Sequence, residues 1–301
     1  MRKIQFSSRA ESIAVPEPEP GPGQLLVRTE LVGVGVRLVQ LWREGALGDP
    51  GGEMVGAVVA VGPGVPAGWV GKRVGGLVFE GVYAEYVLAA PQLITELPAE
   101  VEPADALALV RGGLVGMGAL RASHFAAGES VLVIGAASGV GHLAVQLARA
   151  LGASRVLAAA GSAGKAGFLR ECGADAVFTY DDPWNESVDV VLDGVGGPFV
   201  QRGVNTLAPH GRLVAFSAGG GTVDASGLLT DLKTVTGFAV GLLGRTRPEV
   251  LESYRAELWR LLAAGELRPQ HTVLPWDRMD TAIDLIETRR NLGRVAVRTA
   301  A

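Results

Sequence analysis

Apolar residues follow two different rhythms along this chain. Over about the first 110 residues they come in short runs, Leu25 to Arg28, Met54 to Val61, Arg73 to Val78 and Ala84 to Leu88, cut by turns such as PEPEPGPG, GDPGG and GPGVPAG. Valine-rich runs bounded by glycine and proline read as strands, and their density predicts a small, irregular β-barrel. From about residue 113 to 240 the rhythm becomes an alternation. Strand-like runs at Ser130 to Ile134, Arg155 to Ala160, Ala176 to Thr179, Val188 to Leu192, Arg212 to Phe216 and Thr234 to Val240 are separated, in the earlier part, by segments of helical period. Such alternation predicts an α/β, doubly wound parallel sheet. After Pro248 come a helix over EVLESYRAELWRLLAAG, a strand near Thr272 to Leu274, a helix over MDTAIDLIETRR and a closing strand from Arg294 to Arg298. The expected domains are residues 1–112, completed by 249–301, and residues 113–248.

The segment VLVIGAASGVGHLAVQLARALGA, residues 131–153, carries the first chemical hint. A buried strand runs into Gly135, Gly139 and Gly141, spaced GxxxGxG, and then into Leu143, Ala144, Leu147, Ala148 and Leu151 at helical spacing. Glycines there permit a tight turn, a close backbone approach to a pyrophosphate, and tight packing of helix on strand, with the phosphate at the helix's positive end. The strand before and the helix after are the context the motif requires. The competing reading as a short-chain reductase fails, because the turn is far from the N-terminus and none of Tyr83, Tyr86, Tyr180 and Tyr254 has a lysine four residues on.

Composition narrows the class. Hydrophobic residues make up 48% and charged residues 19% of 301, enough apolar surface for a sizeable core in two domains. A net charge of −4 without a long basic run gives no reason to expect a nucleic-acid or membrane partner. Neither a signal peptide nor a membrane span is readable, so a cytoplasmic protein is expected. Cys172 is the single cysteine and reads as a packed small residue. Of four histidines, His142 on the glycine-turn helix reads as packed or as facing the cofactor's surroundings, and His124, His210 and His271 fall near turns or a strand edge.

Together with GEMVGAVVAVGPGV (52–65), GKRVGGL (71–77), GVYAEYV (81–87), VDVVLDGVGG (188–197), GRLVAF (211–216) and GRVAV (293–297), the nucleotide segment makes nearly the whole chain resemble the medium-chain dehydrogenase/reductases. Within them it resembles the zinc-free quinone oxidoreductase and enoylreductase group. The resemblance implies a GroES-like barrel with a Rossmann domain, and a homodimer through the last Rossmann strand, Thr234 to Val240. It also implies cofactor contacts at Gly135, Ser138, Gly139, Val140, Gly141, Ser162, Lys165, Tyr180, Gly194, Val195, Phe216 and Ser217.

The cofactor expected is NADPH. No acidic side chain ends the second strand of the alternating region to accept from a ribose 2′-hydroxyl. Ser162 and Lys165 stand there instead, a hydroxyl and an ammonium that suit a 2′-phosphate, against the plainer reading of Lys165 as a solvated helix charge. The resemblance adds Tyr180 to that phosphate site.

Zinc-dependent relatives carry a cysteine and a histidine where this chain has Gly35 and Gly52, leaving Glu53, and one carboxylate cannot hold a catalytic zinc. The expected chemistry is hydride transfer to an already electrophilic carbon of an enone, enoyl thioester or quinone. The family's GLNxxD segment matches VGVGVRLVQLW (32–42) loosely, its asparagine falling on Gly35 or Arg37 and its aspartate on Leu38 or Gln40. Trp42 falls near a position often aromatic. In the segment before the nucleotide fold, Val115 and Met117 replace a threonine and a tyrosine. Arg111, a charge in an apolar run, reads either as a substrate contact or as an internal ion pair, with Glu53 as the partner; Tyr83 reads as a cleft-mouth or a core residue. The glycine-rich stretch 44–52 suggests an open or roomy substrate region. A nucleotide-binding redox sensor or structural protein without turnover is the alternative from another class.

Overall fold

The computed structural model describes residues 1–7, 9–45, 48–217 and 219–299. They form two compact units, one of Met1–Arg111, Gly241–Val250 and His271–Ala301, the other of Gly112–Val240 and Leu251–Gln270.

The second unit is built on six parallel strands: β1 (Ser130–Ile134), β2 (Arg155–Ala160), β3 (Ala176–Thr179), β4 (Val188–Asp193), β5 (Leu207–Ala215) and β6 (Thr234–Gly237). Their order across the sheet is β3-β2-β1-β4-β5-β6, so the order reverses between β1 and β4. Ligands of open α/β sheets bind at such a switch point, outside the carboxyl ends of the strands. Val131 to Ile134 are completely buried, as a strand covered on both faces must be. Helix α1 (Gly141–Ala150) follows β1 with Leu143, Ala144, Leu147 and Ala148 buried, α2 (Ala166–Glu171) follows β2, and α3 (Pro198–Thr206) follows β4.

Two strands differ from the pattern read in the sequence. β5 begins at Leu207 rather than Arg212, because the turn-like Pro209, His210 and Gly211 form a bulge inside the ladder, with His210 at φ 63° and a register shift between Val188 and Val190 opposite. β6 ends at Gly237, and Val240 instead opens a helix to Thr246.

The first unit holds a seven-stranded, mostly antiparallel sheet in the order His271–Pro275, Arg294–Arg298, Leu25–Val34, Pro50–Val61, Arg73–Glu80 and Ile94–Glu96, with Tyr86–Ala89 also on Leu25–Val34. Alternate residues of these strands, among them Val27, Val32, Met54, Val74, Val295 and Val297, close its core with Ala282, Ile283 and Ile286 of the helix Met279–Glu287. A hairpin, Arg2–Phe6 with Ala10–Ala14, and a helix, Val36–Arg43, were not expected from the sequence.

Residues 249–301 do not act as one block completing the first domain. Leu251–Gln270, which includes most of the helix Pro248–Ala263, belongs to the second unit. The segment buries Leu251, Leu258, Leu261 and Leu267, and polar bonds tie its end to α1: the Gln146 amide donates to Arg268 O at 3.2 Å and accepts from Arg268 N at 2.7 Å, and His142 Nε2 accepts from Gln270 N at 3.0 Å. Between Ala108 and Leu114 the backbone makes a π-helical turn, Leu109–Gly113, and the division between the units falls inside it, after Arg111.

Candidate functional site

At the end of β1 the chain turns at Gly135, whose φ of 79° favours glycine. A Cβ on Gly141 would fall 2.2 Å from Gly135 O, so the start of α1 approaches the turn as only glycine permits. Ser138 Oγ accepts the Gly141 N–H at 3.0 Å. The Gly139 and Val140 amides have no acceptor among the described residues, leaving two donors at the head of a ten-residue helix. His142 is buried behind them: Nε2 accepts from Gln270 N, so Nδ1 carries the proton and donates to Ser138 O at 2.9 Å. It shapes the turn.

The end of β2 leads into Gly161, exposed Ser162 and part-buried Lys165. A Cβ on Gly161 would stand 3.7 Å from Tyr180 Cε2, so the Tyr180 ring lies at the end of β2. Tyr180 is held from behind. Its ring packs on Phe199 at 4.5 Å, and Arg202, lying 3.7 Å over the Trp184 ring, donates to the backbone carbonyls of Tyr180 and Asp182. The Trp184 indole N–H closes the loop on Thr179 O at 3.1 Å.

Gly194 and Val195 follow β4, and Phe216 and Ser217 follow β5, the strand beside it. The Phe216 ring lies 2.8 Å from where a Gly194 Cβ would be, and Ser217 Oγ donates to Val195 O at 2.9 Å. Asp193, fully buried, was not anticipated: its carboxylate accepts the amides of Val195 at 2.8 Å and Gly196 at 3.0 Å and so sets the loop. An aspartate ending an apolar strand before GVGG is the signal for it. Unspent amides at the helix head, and glycines that let the helix close on the turn that presents them, fit a dinucleotide.

In the first unit, Glu53 is completely buried between two guanidiniums. Arg111 Nη1 donates to Glu53 Oε2 at 2.9 Å, and Arg294 Nη2 pairs with Oε1. Burial pushes the Arg294 guanidinium down to about 10 and also lowers Arg111. Tyr83 is buried, its hydroxyl donating to Gly33 O at 3.0 Å, and burial raises its pKa against the opposing pull of Arg111. Arg111 and Tyr83 thus come together around Glu53, and the Arg111–Glu53 pair posed by the sequence is formed. Tyr83 takes the core reading.

Trp42 stands apart from that cluster. Its indole N–H donates to Ser7 O at 2.6 Å and its ring meets Phe6 edge-on at 6.4 Å. Gly35 faces Arg294 Nη1, 3.5 Å from where a Cβ would be, and Gly52 faces Val82 and the Tyr83 hydroxyl. Leu38, Val115 and Met117 are buried apolar residues. In the stretch 44–52, Ala46 and Leu47 lie outside the described residues; Asp49 pairs with Lys3, and Pro50 to Gly52 begin a paired strand rather than an open loop. Cys172 is buried, its thiol pushed up to about 11 by burial and by Glu171. Among the described residues no three His, Cys, Asp or Glu side chains cluster as metal ligands, and no helix is long and apolar enough to cross a membrane.

A parallel sheet with a glycine cradle at its switch point defines a dinucleotide-binding α/β protein. Residues 139–258 match the family model of zinc-binding dehydrogenases. The chain is 32% identical over 301 residues to the mycocerosic acid synthase-like polyketide synthase of Mycolicibacterium smegmatis, covering 92% of this chain but only 14% of the synthase. Prostaglandin reductase-3 of Mus musculus is 27% identical over 94% of this chain and 83% of its own length. Among solved structures, a Pseudomonas syringae quinone oxidoreductase superposes with a TM-score of 0.88 at 27% identity, covering 99% of both chains. A mycobacterial protein complexed with NADPH gives 0.88 at 28% identity, again covering 99% of both. The chain belongs to the medium-chain dehydrogenase/reductase superfamily, in its quinone oxidoreductase-like group, and its units are a GroES-like domain and a Rossmann domain.

Proposed function

We propose that the protein is an NADPH-dependent reductase of an activated C=C bond or a quinone. The observation that carries the reading is the cradle itself, in which Gly141 lets the head of α1 close on the turn at Gly135, the Gly139 and Val140 amides stand unspent, and Ser162, Lys165 and Tyr180 stand at the end of β2. Relatives named as quinone oxidoreductase and prostaglandin reductase support the reaction class.

Gly139 and Val140 donate their amides to the pyrophosphate, and Lys165 with Ser162 and Tyr180 holds the 2′-phosphate. Phe216 walls the nicotinamide side of the cradle beside Gly194. When bound, the reduced nicotinamide supplies a hydride. The protein's remaining task is to orient the acceptor and stabilise negative charge on its oxygen, for which Arg111 is the candidate; Trp42 and Tyr83 are proposed only to shape the first unit around it. A second copy pairing along the free edge of β6 and residence in the cytoplasm complete the proposal; light scattering and cell fractionation test these.

Titration of NADPH against NADH by nucleotide fluorescence, followed by an absorbance assay over quinones, enones and enoyl thioesters, tests the central reading. Selective NADPH binding with turnover supports it. Selective binding with no turnover across the panel favours a redox-sensing or structural role, and binding of neither nucleotide overturns it.

A further inference from the structure

Each ring nitrogen of His142 serves a different segment of the second unit. Nδ1–H donates to Ser138 O at 2.9 Å, and Nε2 accepts from Gln270 N at 3.0 Å. The residue is completely buried, so water does not replace either partner. Ser138, His142 and Gln270 all belong to that one unit.

Ser138 immediately precedes Gly139 and Val140, whose amides have no acceptor among the described residues. Its N–H donates to Gly135 O at 3.0 Å, its Oγ accepts from Gly141 N at 3.0 Å, and its carbonyl takes the His142 amide at 3.2 Å as well as the ring proton. The first three bonds are internal to the turn and the head of α1. The imidazole carries the connection onward, to Gln270.

Arg268–Gln270 is a short strap along α1. Pro269 is buried but Arg268 and Gln270 are exposed, and a cavity of about 690 Å³ with Gln146, Phe168, Cys172, Arg268 and Gln270 in its wall lies against them. Packing is therefore open on that side, and Gln146 with Arg268 and His142 with Gln270 supply the polar attachments. A segment held by a few hydrogen bonds beside free volume has room for a second arrangement. A neutral imidazole has one donor and one acceptor nitrogen. If Gln270 N withdraws, nothing from the strap fixes which nitrogen holds the proton, and the bond to Ser138 O is no longer enforced. A phosphate on the Gly139 and Val140 amides works in the opposite direction, fixing Ser138 and with it the tautomer that accepts from Gln270.

We propose that His142 is a positioning residue that couples a nucleotide at the glycine turn to the strap Arg268–Gln270 and the cavity beside it. The inference rests on the dinucleotide reading above. A closed strap strengthens nucleotide binding, and a bound nucleotide favours the closed strap by the same factor.

Cys172 is the single cysteine of the chain and lines the cavity, 4.0 Å from Gln146 Nε2, so its reaction with dithiobis(nitrobenzoate) reads the strap. In the full-length wild type, saturating NADPH is expected to slow that reaction about fivefold or more. Two variants divide the bonds. His142→Asn keeps a donor near the Nδ1 position but reaches no acceptor to Gln270, whereas His142→Gln keeps an acceptor near the Nε2 position but no donor for Ser138. His142→Asn should label about fivefold faster without nucleotide yet bind NADPH within about twofold of wild type. His142→Gln should label like wild type yet bind NADPH and NADH each about fivefold more weakly. In both, NADPH should no longer protect Cys172.

Circular dichroism checks that the variants fold, and amide hydrogen exchange of residues 268–270 in wild type needs no variant. Pro269 has no N–H, so the peptide reports the Arg268 and Gln270 amides that hold the strap. NADPH should slow their exchange. NADPH that binds wild type but changes neither labelling nor exchange overturns the coupling and leaves the nucleotide reading standing. Faster labelling together with weaker binding in both variants makes His142 a packing residue and also overturns it. A wild type that binds neither NADPH nor NADH defeats the nucleotide reading, and the coupling with it.

Discussion

Gly33 lies directly against the Arg294 guanidinium: a Cβ there would fall 2.2 Å from Nη2, and equally close to Glu53 Oε1. The missing side chain is what lets the buried ion pair form. Gly33→Ala is expected to prise the pair apart and cost about 3 kcal/mol, from overpacking and a weakened buried contact. Equilibrium urea denaturation reads this; a loss below about 0.5 kcal/mol would mean the pair shifts freely and the close approach is unimportant.

Gly141 makes a similar close approach, to Gly135 O. Gly141→Ala should push α1 from the turn and misplace the Gly139 and Val140 amides, raising the dissociation constants for NADPH and NADH alike by about tenfold or more. Fluorescence titration would detect a change confined to one cofactor, which would contradict a pyrophosphate role.

Lys165→Ala should behave differently, weakening NADPH about tenfold to a hundredfold while leaving NADH within about twofold, since a charge-assisted contact to the 2′-phosphate is lost. Arg202→Ala removes the group that holds the carbonyls of Tyr180 and Asp182 and should lower the same NADPH preference, more modestly. Affinity for 2′,5′-ADP isolates the effect from the nicotinamide.

His271 and Asp105 form a pair at 3.1 Å that raises the histidine pKa, chiefly through the hydrogen bond. A raised folded pKa means the stabilisation is complete below the ordinary histidine value of about 6.5 and fades as pH climbs through the folded value. Both side chains are about one-third exposed, so its worth is below about 1 kcal/mol. The stability difference between wild type and Asp105→Asn should be larger at pH 5.5 than at pH 9; an equal difference at both would remove the pair from the pH dependence.

Cys172, with its thiol near 11, should react with a disulfide reagent at pH 8 about a hundredfold more slowly in the native protein than in urea. Equal rates would show that the helix end opens readily.

How much of this could be read beforehand depends on the range over which each feature is determined. β1, its glycines and α1 were legible because a buried strand, a tight turn and an amphipathic helix each leave a local pattern within a few residues. β5 was read short because Pro209, His210 and Gly211 signal a turn, and whether a ladder resumes across a bulge depends on its neighbours. The helix Val36–Arg43 is eight residues long and buries Leu38 and Val39, a stretch too short for periodicity alone to separate helix from strand.

Local pattern therefore determined the alternation of strand and helix, the glycine cradle and the replacement of an acidic residue by Ser162 and Lys165. Only the tertiary structure decided that Leu251–Gln270 joins the nucleotide unit and that Arg111 and Arg294 share Glu53. Those outcomes turn on hydrogen bonds and ion pairs between residues far apart in the chain. Such bonds have no period and no fixed spacing, so they take shape only once the backbone has brought their partners together.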